Sequence, residues 1–256
     1  MTKTADELKQ RRMVVLFSVI ALTVVYWFTA LWYNNKTGNS KDLIVFHWLF
    51  GRLFPGNPLL DLWQYFYQFA ITVILFFAVP AFIIKRYLKE DYNLFRLKFV
   101  RHRQALIICA VIYPVVVCST YFTTTDPTLA AEYPLSKLIH ISWATFIIYE
   151  MAYFFYFFSY EAFFRGYLQF GLASEKPGIK EIIYLLAIQT IITTLFHIGK
   201  PTSEIMAAAA FGPIIGYVAL RYNTIWYGLG IHYLMNIFID YFILYHRQML
   251  PQKFFW

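Results

Sequence analysis

Seven stretches that carry few or no charged residues recur along this chain, and they constrain its fold more than anything else in it. They run Met13 to Tyr33, Leu62 to Ile84, Ala105 to Phe122, Leu138 to Ala173, Ile182 to Ile198, Ile205 to Leu220 and Thr224 to Leu244. A helix needs about 20 apolar residues to cross a bilayer, and the bilayer interior tolerates only structures that satisfy their own backbone hydrogen bonds. The pattern therefore predicts an all-α fold, a polytopic transmembrane helical bundle of about seven spans (six to eight). Composition agrees: of 256 residues, 60% are hydrophobic and 14% charged, too apolar for a soluble core and surface. The run from Leu138 to Ala173 is about 54 Å long as straight helix, so it must tilt, kink or begin at the interface. The segment Gly38 to Asp61, with Pro55, Gly56 and Pro58, reads as the least regular connection.

A surplus of 22 Lys and Arg over 14 Asp and Glu is explained by the membrane rather than by nucleic acid, since basic residues collect on the cytoplasmic side. With the N-terminus inside, 15 basic residues fall on the cytoplasmic face and 7 on the other, led by the segment Lys85 to Arg103. The expected protein is an integral, multi-pass protein of the cell (inner) membrane, with a cytoplasmic N-terminus and the C-terminus outside. Its partners are the lipid bilayer and a membrane protein or peptide substrate, with no nucleic acid.

Ionisable groups inside spans are costly unless they face protein or water, so each is a functional candidate. Glu150, Glu161 and Arg165 share one face of the fourth span. His232, Asn236 and Asp240 form a second stripe at i, i+4 and i+8, which must look into the bundle. Counting residues from the span ends puts Glu161, His197, His232 and Asn236 at similar depth on three helices. A carboxylate, two imidazoles and an amide at one level form a candidate catalytic set, with Arg165, Tyr160, Glu150 and Asp240 as supporting residues. Structural readings stand beside it: Glu161 and Arg165 as a simple ion pair, and His232 with Asn236 as interhelical hydrogen-bond contacts. The sequence holds no H-E-x-x-H, no G-x-S-x-G and no P-loop, so no metal and no cofactor is expected.

Glu161-Ala-Phe-Phe-Arg165-Gly166, then His197, then Phe211-Gly-Pro-Ile-Ile-Gly216 and His232-x-x-x-Asn236 resemble, in order and spacing, the CPBP (Abi) family of intramembrane glutamic proteases, which includes the type II CAAX prenyl endopeptidases. The resemblance covers Leu138 to Leu244 and divides the single membrane domain into an N-terminal three-span region, 1–137, and a catalytic core, 138–256. It implies a metal-independent intramembrane endopeptidase in which a glutamate and a histidine activate water. A second histidine and an asparagine hold the oxyanion, in a cavity open to the cytosol. By motif, Glu161 matches the second glutamate of E-E-x-x-x-R, Arg165 its arginine, His197 the histidine of F-x-x-x-H, and His232 and Asn236 the pair of H-x-x-x-N. Tyr160 stands in place of the first glutamate and Thr193 in place of the phenylalanine. Neighbouring helical positions point 100° apart, so Glu161 does not simply substitute for the missing group. A pseudoprotease scaffold that binds membrane partners, and a transporter, remain the alternatives.

Overall fold

The structure is a computed structural model that describes residues 2–29, 40–89 and 91–255, with side chains from Lys9 onward. Among the described residues there is no strand, and nine helices form the bundle. They are α1 (Thr2–Thr29), α2 (Lys41–Leu53), α3 (Leu60–Leu88), α4 (Arg103–Thr123), α5 (Pro127–Glu132), α6 (143–172), α7 (Ile179–Leu195), α8 (Thr202–Tyr222) and α9 (Trp226–His246). Helices α1 (from Lys9), α3, α4, α8 and α9 are long and apolar enough to cross a membrane. The other two expected spans are α6 and α7. The first carries a dense set of tyrosines and ionisable groups, and the second has 17 residues. The end of the first expected span, 30–33, lies outside the described residues.

The connection read as least regular contains α2, so irregular backbone is confined to 54–59, around Pro55, Gly56 and Pro58. Residues 38 and 39 lie outside the described part. Helix α2 is tied down by its buried Asp42, which accepts from Thr29 Oγ1 at 2.6 Å and from Gln68 Nε2 at 3.0 Å and also contacts Ser40. One carboxylate thus links α1, α2 and α3, the kind of satisfied polar cluster that a buried charge requires.

Ser142 caps α6 by accepting from the Thr145 N–H at 3.1 Å. The helix therefore starts below Leu138, and the long apolar run divides into an entry loop and a 30-residue helix, about 45 Å long. Wider π-type turns interrupt it over Ala162–Leu168, directly after Glu161, which re-aims the side chains that follow. Helix α6 is the most enclosed element: Tyr149, Tyr153, Phe163, Phe164 and Tyr167 are fully buried. At Gly166 it meets backbone, and an added Cβ would lie 2.9 Å from Phe95 Cα and O.

Around α6, α3 packs along one flank and α9 along another, while α7 packs on α8 and α4 on α9. Gly212 and Gly216 bring α7 and α8 together, with Gln189 Nε2 donating to the Gly212 carbonyl at 2.8 Å. The outer helices turn large apolar side chains away from protein, such as Ile107, Val111 and Phe122 on α4 and Ile183 and Ile191 on α7, a surface suited to lipid. The apolar clusters mix residues from both sides of residue 137: Val14, Phe76, Ile84 and Phe95 pack with Tyr160, Phe163, Phe164 and Ala219.

Candidate active site

Between α6, α7, α8 and α9 lies a cavity of about 70 Å³. That is room for a few water molecules. His197, His232 and Asn236 line it, together with Tyr160 and Arg165 from α6 and Lys200 and Glu204 from the start of α8 and the turn before it. Small side chains on α8, Ala207, Ala208 and Gly212, leave the space open. Three of the four residues expected at one level therefore meet on one wall-to-wall space.

The fourth, Glu161, touches this set from behind. Its side chain is fully buried, and its Oε1 accepts from Arg165 Nη1 at 3.1 Å and from His232 Nδ1 at 2.8 Å. Glu161 is not among the cavity-lining residues; Tyr160 is. The 100° between adjacent helical positions is the reason, because the α6 face that looks into the cavity at 160 looks toward α9 at 161. There the absence of a side chain at Gly228 makes room, since a Cβ on it would sit 3.8 Å from Glu161 Oε2 and 2.5 Å from Ile215 Cγ2.

Each imidazole is anchored through Nδ1. A carboxylate and a carbonyl can only accept from a neutral ring, so His232 carries its proton on Nδ1 toward Glu161, and His197 carries its proton on Nδ1 toward the Thr193 carbonyl, 2.7 Å away. The His232 ring is fixed further by aromatic edges, with Phe157 at 4.7 Å and Tyr160 at 5.6 Å between ring centroids. Asn236 is buried, lines the cavity and has the Glu150 carboxyl as a side-chain neighbour.

The supporting residues divide. Arg165 lines the cavity while holding Glu161 and lies 5.6 Å from the Tyr160 ring. Glu150 and Asp240 are electrostatic neighbours of each other, fully enclosed on α6 and α9, and line no part of the cavity. Among the described residues, no three His, Cys, Asp or Glu side chains group as a metal site.

Tyr133, Lys200 and Glu204 belong to the site and are not anticipated by the sequence reading. Glu204 Oε1 accepts from the Tyr133 hydroxyl at 3.0 Å and contacts the Lys200 ammonium, which also meets Tyr133. His197 Nε2 lies 3.7 Å from the same oxygen. The available signal is weak: Glu204 falls one residue before an expected span, where a charge is ordinary. Only its spacing of four from Lys200 marks it.

These contacts also place the cavity along the bundle. Helix α9 begins beside the basic segment, with Trp226 Nε1 donating to Leu97 O at 2.6 Å, and ends beside α4 and α5, with Arg247 Nη2 donating to Ala130 O at 2.7 Å. Tyr133 and Lys200 mark the second end. Lining residues Tyr133 and Lys200 thus lie toward the end opposite Lys85 to Arg103.

Together these features define a class: a polytopic helical membrane protein with a carboxylate–histidine–asparagine cavity inside the bundle. Residues 138–238 match the family model described as Rce1-like, type II CAAX prenyl endopeptidase Rce1-like. The matched part is about two fifths of the chain and contains Glu161, Arg165, His197, His232 and Asn236. No curated protein and no solved structure is matched.

Proposed function

We propose that this protein is a metal-independent intramembrane endopeptidase, with the catalytic core in 138–256 braced by the N-terminal region 1–137. The observation that carries the reading is the convergence of His197, His232 and Asn236 on one water-sized cavity in the matched segment. A water held by His197 attacks the peptide carbonyl. The Asn236 amide and, when its ring is doubly protonated, His232 Nε2–H donate to the oxyanion, where a poorly solvated site makes each donor worth more than in water. Glu161 contributes by positioning: it holds His232 Nδ1, and Arg165 balances its charge. The substrate is a membrane protein or peptide, and the protein resides in the cell membrane with Lys85 to Arg103 in the cytoplasm and the cavity facing the other side.

Purified full-length protein in liposomes, offered a library of fluorogenic membrane peptides, tests this. Cleavage should be insensitive to metal chelators and should fall by at least 100-fold in His197→Ala. One observation favours a second reading, the pseudoprotease scaffold: Tyr160 puts a phenol where the family motif has a carboxylate. Wild-type protein that binds membrane peptides and cleaves none would establish that reading instead.

A further inference from the structure

Residues 91–102 lie between α3 and α4, two helices long and apolar enough to cross a membrane, so connectivity holds them at the level of the lipid headgroups. The inner side of this segment is fastened to the bundle. Leu94 and Phe95 are buried, and the Phe95 backbone occupies the space that Gly166 leaves on α6. The Arg96 carbonyl accepts from the Ile225 N–H at 3.3 Å and the Leu97 carbonyl from Trp226 Nε1 at 2.6 Å. The Val100 carbonyl accepts from the Tyr227 hydroxyl at 2.6 Å, and that hydroxyl accepts in turn from the His102 N–H at 2.7 Å. A connection whose backbone is bonded in this way to the start of α9 presents its outward side chains in one arrangement, which lowers the entropy cost of binding to them.

Those outward side chains are basic. Lys98, Arg101 and Arg103 are exposed, and Phe99, between the first two, is 61% exposed. Arg96 is half-buried with its guanidinium 4.6 Å from the Phe170 ring centroid, and its Nε has no hydrogen-bond partner. Asp91 is engaged by Lys85 at 2.8 Å, and among the described residues no acidic side chain pairs with Arg96, Lys98, Arg101 or Arg103. Four cations and a phenyl ring at headgroup depth complement an anionic phospholipid, whose phosphate takes the cations and whose upper acyl chain takes the ring. A purely ionic partner has no use for the ring. We propose that Arg96, Lys98, Phe99, Arg101 and Arg103 form a binding site for anionic phospholipid, which clamps this segment against α6 at Gly166, one residue past Arg165. The lipid binds the folded chain, so its occupancy raises Tm.

Full-length protein in phosphatidylcholine liposomes, with or without roughly one-third phosphatidylglycerol, tests this, with Tm read from intrinsic tryptophan fluorescence. Phosphatidylglycerol should raise Tm by about 4 °C or more, and about 0.5 M NaCl should remove most of that rise. In Lys98→Gln/Arg101→Gln/Arg103→Gln, compared with itself in phosphatidylcholine alone, the rise should fall by at least about half. Lys41→Gln/Arg52→Gln/Lys253→Gln removes the same charge from other exposed positions and should keep the full rise. An equal Tm in the two lipid mixtures overturns the inference, as does a rise that survives the first triple variant or falls as far in the second. A rise of the same size from glycerol 3-phosphate added to phosphatidylcholine liposomes also overturns it, because the site then takes a soluble anion. Should the first triple variant not fold, Arg101→Gln alone should lose about a quarter of the rise or more, and full retention there overturns the site.

Discussion

Glu161 with Arg165 and Glu204 with Lys200 repeat one device, a carboxylate and a cation four residues apart, at two places in the same bundle. In the first pair both side chains are sealed, 0% and 3% exposed, and the carboxylate divides its bonds between Arg165 and a histidine ring. In the second pair the carboxylate keeps 14% of its surface and belongs to a residue that lines the cavity, as Glu161 does not. Identical spacing therefore does not mean an identical role. The π-type turns of α6 wrap Arg165 over Glu161 and close that pair, whereas Lys200 and Glu204 straddle a turn and a helix start, where small residues follow and the space stays open.

The largest test of this contrast is all-or-none. With Lys85 to Arg103 in the cytoplasm, reporter fusions should place the loop holding Tyr133 and the C-terminus outside, so that the open pair faces away from the cytosol. A cytoplasmic C-terminus would invert the bundle and restore the cytosolic cavity that the family resemblance implies.

Next in size is the sealed pair itself. Glu161→Leu strands a buried guanidinium, and thermal or denaturant unfolding in detergent should show a loss of about 3–5 kcal/mol, most of it recovered in the double variant Glu161→Leu/Arg165→Met. A single variant as stable as wild type would mean that the pair is not closed. Smaller is the effect of the seat beneath Arg165. Gly166→Ala drives a Cβ to 2.9 Å from Phe95 backbone and should cost about 1–3 kcal/mol, while Gly178→Ala, with nothing within 4 Å, serves as the control in the same unfolding assay. Equal stability of the two variants would show that α6 shifts freely at this point. Smallest is an exposed pair of the same chemistry: Arg11 Nη2 lies 3.2 Å from Glu181 Oε1, with side chains 37% and 28% exposed. Arg11→Ala should change stability by less than about 1 kcal/mol, and a shift as large as that of Glu161→Leu would remove burial as the distinguishing variable.

The sequence by itself determined the bundle, because apolar runs of spanning length leave a chain no other way to satisfy its backbone in lipid. It also determined which polar residues had to face inward: Glu161, His232 and Asn236 are legible from their spacing, since a charge or amide on a lipid-facing stripe is too costly to keep. It did not reveal α2, because Pro55, Gly56 and Pro58 dominate a composition-based reading while the bonds that hold Asp42 come from Thr29 and Gln68 on other helices. Only the tertiary structure decided which side of α6 is a wall and which is a cavity. Tyr160 and Glu161 are neighbours in sequence, but rotation about the helix axis sends one to water-sized space and the other to Arg165 and His232. The same holds for Glu204, which reads as an ordinary charge beside a span until Tyr133, Lys200 and His197 are brought to it from 71, 4 and 7 residues away. The contact with Tyr133, 71 residues away, is made by packing, and local pattern carries no record of it.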